Sequence, residues 1–344
     1  MKHGTKIIFI LVLVTEIFFS CAKKKTSLSE NESLENFFKK SEVTIAVTDS
    51  GLGGLSVMAD AVKRMRESKI FSKVNFIFFN ALFSNEGGYN SLKSRTEKIH
   101  VFNSALRSLK KNFHPDLILI GCNTLSTLYN DTAFSTETAI PVAGIVDPGV
   151  ELIAHHLKAS PDARVIIFAT QTTVSEDTHR KNLMKKGFSS ERIILQACPE
   201  LVNYIERGYE SEETEMLILA YVDEALQKIP SAHPLLYVSL NCTHYGYSLK
   251  LWEEAFKTYG VEPLAFLNPN SKMTDFLFPS QKLNRFISTE ISTLVVSMVE
   301  ISKDKIDSIG LWLKTTSPQT ADALAHYDLR PALFEWEKYV VSER

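Results

Sequence analysis

An excess of charge of either sign is missing from this chain: 38 Lys and Arg stand against 40 Asp and Glu over 344 residues, a formal net charge of −2. General nucleic-acid binders carry a basic excess or patch, and solvating tails an acidic one, so the balance argues against both. Cysteine is scarce, and four in a chain this long do not make a disulfide scaffold. Glycine and proline number 14 and 12, which excludes collagen-like and proline-rich classes. What is present is an apolar fraction of 44%, enough for ordinary cores and far from the disordered range. At roughly 150 residues per domain, the length implies about two domains.

The N-terminus reads as an address. Lys2, His3 and Lys6 precede an apolar run from Ile7 to Val14, too short to span a bilayer but the size of a signal-peptide core. Phe18-Phe19-Ser20-Cys21 then resembles a bacterial lipobox, with Phe18 in place of the usual Leu and Glu16 interrupting the apolar tract. On that reading residues 1–21 are a lipoprotein-type signal and Cys21 is the lipidated residue of an extracytoplasmic, membrane-anchored protein of the cell envelope. A retained N-terminal anchor helix is the alternative. Residues 22–42, rich in Lys, Ser, Glu and Asn, read as a flexible linker, with the globular body starting near Val43.

From Val43 onward, buried-strand runs alternate with helical patterns. Strands are expected at Val43–Thr48, Val74–Phe79, Leu117–Ile120, Arg164–Ala169, Arg192–Leu195 and Leu235–Leu240, and helices at Leu55–Met65, Lys98–Leu109, Val174–Lys185, Met216–Lys228 and Ser248–Thr258. This is the grammar of an α/β fold with mostly parallel sheets. Asp116-Leu117-Ile118-Leu119-Ile120-Gly121-Cys122-Asn123-Thr124 is echoed by Leu235-Leu236-Tyr237-Val238-Ser239-Leu240-Asn241-Cys242-Thr243-His244, about one domain-length later. Two similar halves, each with a thiol past a strand's carboxyl end, put both thiols where such sheets bind ligands.

The loops carry the chemistry. Asp49-Ser50-Gly51-Leu52-Gly53-Gly54 follows the first strand and opens a helix. Its glycines allow close backbone approach, and the helix start offers N–H groups to an anion, carboxylate or phosphate. It lacks both the dinucleotide-binding spacing and a Walker lysine, and a plain glycine-rich turn stays open. Cys122 at a helix start is placed for a lowered pKa, although a single Cys is as readily inert core. Cys242 with His244 invites a metal, but no Cys-x-x-Cys and no second His cluster accompany it. A Cys/His hydrolase would have one thiol too many. Thr170 to Ser175 suits a helix cap or a carboxylate cradle, and Cys198 reads as structural.

Taken in order, the segments Asp49–Leu55, Cys122–Thr124, Pro141–Gly149, Ala169–Ser175, Cys198–Gly208 and Cys242–Tyr245 resemble the cofactor-independent aspartate/glutamate racemase superfamily, glutamate racemase most of all. The resemblance extends from about Val43 to the end, with Trp312–Ser317 similar to that family's final strand and turn. It implies two similar doubly wound lobes, residues 43–143 plus 247–344 and residues 144–246, with the active site in the cleft between them. It further implies Cys122 and Cys242 as the two proton carriers, Asp49 assisting the first and His244 with Glu206 the second. Asp49, Ser50, Asn123, Thr124, Thr170 and Thr243 would bind a small amino-acid substrate, glutamate first, with neither metal nor other cofactor. A homodimer is compatible with it.

The chain departs from that family's pattern in three places. Phe83–Asn90 has no Pro-Tyr-Gly, Asn241 stands where Gly often precedes the second Cys, and Gly246-Tyr247 replaces Pro-Leu, with Tyr247 expected to reshape the pocket. Substrate choice therefore stays open toward aspartate or a related amino acid. An envelope address also leaves a different class open: a lipoprotein that binds an amino acid in this cleft without turning it over.

Overall fold

The computed structural model describes residues 27–229 and 235–340. Among these, ten strands are β1 (Glu42–Asp49), β2 (Lys73–Asn80), β3 (Leu117–Ile120), β4 (Val142–Gly144), β5 (Arg164–Ala169), β6 (Ile193–Ala197), β7 (Leu236–Leu240), β8 (Ala265–Leu267), β9 (Glu290–Ser297) and β10 (Asp328–Leu329). They form a six-stranded sheet in the order β10-β9-β2-β1-β3-β4 and a four-stranded sheet in the order β6-β5-β7-β8. Every pairing is parallel. Parallel sheets are covered on both faces, which is why β1, β3, β5 and β7 read as near-continuous apolar runs. One apolar cluster contains residues of both sheets, among them Val47, Phe78, Phe168 and Leu240, so the two lobes share a core.

The carboxyl ends of the inner strands are tied to one another just before the chain turns out. Gly121 N donates to Thr48 O, Ala81 N to Asp49 O, and Asn241 N to Phe168 O. Asp49, Cys122, Thr170, Cys198 and Cys242 all lie at or within two residues of a strand's carboxyl end. The alternation of strands and helices thus delivers the chemistry-bearing loops of both lobes to one crevice.

Four expectations need correction. Residues 22–42 are not linker throughout: Ser27–Lys39 is a helix, and Phe37 and Phe38 are buried against Phe71. Leu34, Phe37 and Phe38, spaced three and four apart, form an apolar stripe hidden among polar neighbours. The chain does not return to the first lobe at residue 247, because β8 pairs with β7 and extends the second sheet. Trp312–Ser317 is no strand. Helix Lys303–Thr316 covers it, with Ile309 and Leu313 buried one turn apart. The helix expected over Val174–Lys185 is two, broken at Asp177, whose φ is 58°. Cys21 and the signal reading lie outside the described residues, and among those described no helix is long and apolar enough to cross a membrane.

Candidate active site

The glycine-rich loop after β1 opens to the cavity at Ser50 and Gly51 and packs against protein at Gly53 and Gly54. A Cβ on Gly53 would lie 2.3 Å from Thr243 Oγ1 and 2.6 Å from His244 Nδ1, so only glycine lets these segments touch. The anion its backbone holds is internal: Leu52 N donates to Glu206 Oε1 at 2.8 Å. Tyr247 does not line the cleft. Its hydroxyl donates to the carbonyls of Leu52 and Gly53 and braces this loop from behind. Gly53→Ala is expected to lower stability by about 2 kcal/mol through overpacking. Urea unfolding checks this, and an unchanged midpoint would contradict the packing.

Around Cys122 the groups are neutral or weakly acidic. Cys122 is buried at the start of the helix Asn123–Leu128, with its Sγ 3.1 Å from Ser50 Oγ. The helix start does not lower its pKa. Burial and then the Asp49 charge push the thiol up to about 12, against weaker help from Ser50 and backbone N–H groups. Asp49 is also buried, which lifts its carboxyl to about 6 despite His244 and a hydrogen bond from Thr243. Thr243 Oγ1 donates to Asp49 Oδ2 at 2.8 Å, linking the second lobe's loop to the first lobe's carboxyl.

Around Cys242 the groups are charged. Cys242 Sγ lies 3.7 Å from His244 Nδ1, and His244 Nε2 lies 2.8 Å from Glu206 Oε1. Lys305 Nζ pairs with the other carboxylate oxygen at 2.8 Å. Burial alone would raise the Glu206 carboxyl, but His244 and Lys305 outweigh it and hold it down to about 2. The Cys242 thiol is pushed well up by its own burial.

Both thiols, with Asp49, Ser50, Asn123, Thr124, Thr170, Glu206, Thr243 and His244, line one cavity of about 330 Å³. That is the scale of a small-molecule site. No sequence-derived site residue among those described lies elsewhere. Asn123 is buried with both its amide oxygen and nitrogen unpartnered, a donor and an acceptor facing a polar cavity. Thr124, Thr170 and Thr173 form a hydroxyl triangle with edges of 2.8, 3.2 and 3.0 Å that joins the lobes. Thr170 is also a helix cap, accepting from Thr173 N. At the cleft mouth Asn90 Oδ1 accepts from Thr172 Oγ1 at 2.7 Å, and Arg95 bonds both Glu176 and Asp131. All three cysteines among the described residues are free, and Cys198 also reaches the cavity wall.

Sequence reading missed Lys305, Asn90 and Asn270, whose Nδ2 donates to Thr243 O and Ser56 Oγ at 2.9 Å each. The only signal for Asn90 was its place in the loop after β2. Lys305 and Asn270 carried none, since their segments reach the site through the fold's return.

Residues 50–258 match the Asp/Glu/Hydantoin racemase family. Glutamate racemase of Clostridium botulinum is 31% identical over 204 residues, which cover 59% of this chain and 71% of the relative. Glutamate racemase 3 of Caldanaerobacter subterraneus is 27% identical over 287 residues, covering 75% of this chain and 96% of the relative. Among solved structures, glutamate racemase from Francisella tularensis in complex with D-glutamate aligns with a TM-score of 0.61 at 20% identity, over 80% of this chain and 95% of that one. That last likeness is one of fold.

Proposed function

The chain belongs to the Asp/Glu/hydantoin racemase family and is an amino-acid racemase, an isomerase; from that premise we propose that it interconverts L- and D-glutamate by proton transfer between two thiols. The observation that carries this reading is two buried free thiols on one cavity, each past a strand end of a different sheet and each beside its own proton acceptor.

Inverting an α-carbon requires a base on one face and an acid on the other. One thiolate takes the Cα proton while the opposite thiol delivers one. The reverse reaction uses the same pair with protons exchanged. Burial keeps both thiols protonated, so one must first give its proton away. Asp49, lifted to about 6, is a stronger base than an ordinary carboxylate and sits beside Cys122. His244 stands in the same relation to Cys242. Asn123 and the threonine hydroxyls supply neutral donors that fix the substrate carboxylate and help stabilise the carbanion in a dry cleft.

Glutamate is preferred because the relatives bear that name and the cavity has the volume for it. The altered Phe83–Asn90 loop makes aspartate the first competitor. The full chain, with reductant and L-glutamate in deuterated water, tests the reading: the α-proton signal and the optical activity should decay together. Decay with aspartate alone would replace the substrate. Tight binding without exchange, across a panel of L- and D-amino acids, would replace the enzyme by a binding protein.

The lipoprotein address belongs to the proposal as well. Cys21→Ala is expected to shift the protein from the membrane fraction to the soluble one. Fatty-acid labelling that persists in that variant would overturn the anchor.

A further inference from the structure

Lys305 is the one cation among the cavity-lining residues, apart from any charge on His244, and the two-thiol scheme gives it no task. It comes from the first turn of helix Lys303–Thr316, remote in sequence from every catalytic motif, and its side chain is 18% exposed. From the reacting atom outward, the contacts run Cys242 Sγ to His244 Nδ1 at 3.7 Å, His244 Nε2 to Glu206 Oε1 at 2.8 Å, and Glu206 Oε2 to Lys305 Nζ at 2.8 Å. Among the described residues no lysine or arginine supports Asp49 in this way, so the two halves differ in electrostatic support.

We infer that Lys305 is a positioning residue for the Cys242 half of the reaction: paired with Glu206, it fixes the His244 tautomer so that Nδ1 faces the thiol as an acceptor. An ionised carboxylate can only accept. Glu206 already takes the Leu52 N–H on Oε1 and the ammonium on Oε2, so His244 must donate from Nε2. The neutral ring then turns its Nδ1 lone pair to Cys242. The proton leaving Sγ arrives on Nδ1, giving thiolate and imidazolium, while Glu206 and Lys305 keep their charges. With Lys305 removed, Glu206 loses a cation that helps hold its carboxyl down, so it takes up a proton at higher pH and no longer obliges Nε2 to donate. The other groups facing this chain are Asp49 and Cys242 beside His244, and Tyr247 near Glu206, with Asp304, Arg207 and Glu300 around Lys305. Among the described residues, none of them forms a second ion pair with the Glu206 carboxylate.

This inference rests on the two-thiol reading, so its test needs a readout that survives failure of that reading. Enantiomers have equal energy, so kcat/KM must be the same in both directions at any pH. The pH at which activity falls, rather than a directional bias, is therefore diagnostic. In Lys305→Met the acid limb of kcat/KM should rise by about one pH unit, and Lys305→Arg should restore it. In parallel, alkylation by iodoacetamide is followed against pH in the full chain, with each cysteine peptide quantified by mass spectrometry. The Cys242 profile should move up by a similar amount while that of Cys122 stays in place. Lys305→Gln substitutes where the Met variant does not fold. A uniform loss of rate with unmoved profiles, or equal movement of both cysteines, would overturn the assignment. Alkylation reports on Lys305 even in a protein that turns nothing over, which separates the two failures.

Discussion

Cys122→Ala and Cys242→Ala are each expected to lower racemisation by about 10³-fold or more, because on the proposed two-thiol scheme each removes one of two proton carriers whose work no neighbour can take over. The two losses should not add, since a single thiol already cannot invert the centre. Folding should be little affected: both side chains are small, and both thiols, although part of the apolar clusters, also border the cavity. The single variants also make a sharper statement than loss of rate. With one thiol left, the enantiomer whose Cα proton faces it should still exchange that proton for solvent deuterium without inverting. Cys122→Ala should exchange one enantiomer and Cys242→Ala the other. Proton NMR in deuterated water reads both outcomes. Two-way racemisation retained in either variant would end the two-thiol mechanism. Unchanged affinity in both variants, with no exchange in the parent, would point instead to a binding protein.

How much of this was legible in the sequence depends on whether a residue sits next to its own motif. Asp49, Cys122, Thr170 and Cys242 each end, or lie within two residues beyond, a strand whose apolar run is plain, so their convergence follows from parallel-sheet topology alone. Glu206 had a weaker marker, a helical turn ending at Gly208, and its pairing with His244 came only through the resemblance. Lys305 had none, because nothing local distinguishes a functional lysine in the first turn of an amphipathic helix from a solvated one. The strands missed were β4, β8, β9 and β10. Three of these span only two or three residues, while β9 mixes polar and apolar positions in a half-exposed sequence. The misplaced return at residue 247 has the same origin, since β8 alone keeps the chain in the second sheet. The glycine loop was recognised for its ability to approach something closely. That its partner would be Thr243 and His244 depended on contacts nearly two hundred residues apart in sequence.

Asp49→Asn is expected to make the protein more stable near neutral pH while lowering turnover by about 10² to 10³-fold. The second effect follows from removing the proposed proton acceptor beside Cys122. The first follows from burial. The folded carboxyl titrates at about 6, against an ordinary value of 3.8 in the unfolded chain. Below the lower value both states hold the proton, and Asp49 costs nothing. As pH rises through the interval, the unfolded chain gives up its proton first, so stability falls until the folded carboxyl has ionised as well. Asn avoids that loss, and its amide oxygen can still accept the Thr243 hydroxyl. The gain should be on the order of 2 kcal/mol at pH values above the folded titration and close to nil in mild acid. Glu206 does not blur the comparison: held down to about 2, it contributes stability that is fully present above its ordinary value of 4.5 and is lost only in stronger acid. Urea unfolding of both proteins at about pH 4 and about pH 7.5 isolates Asp49 by difference. A gap that narrows with rising pH would mean that Asp49 is favoured as the carboxylate, and its role as a base poised by burial would fall with it.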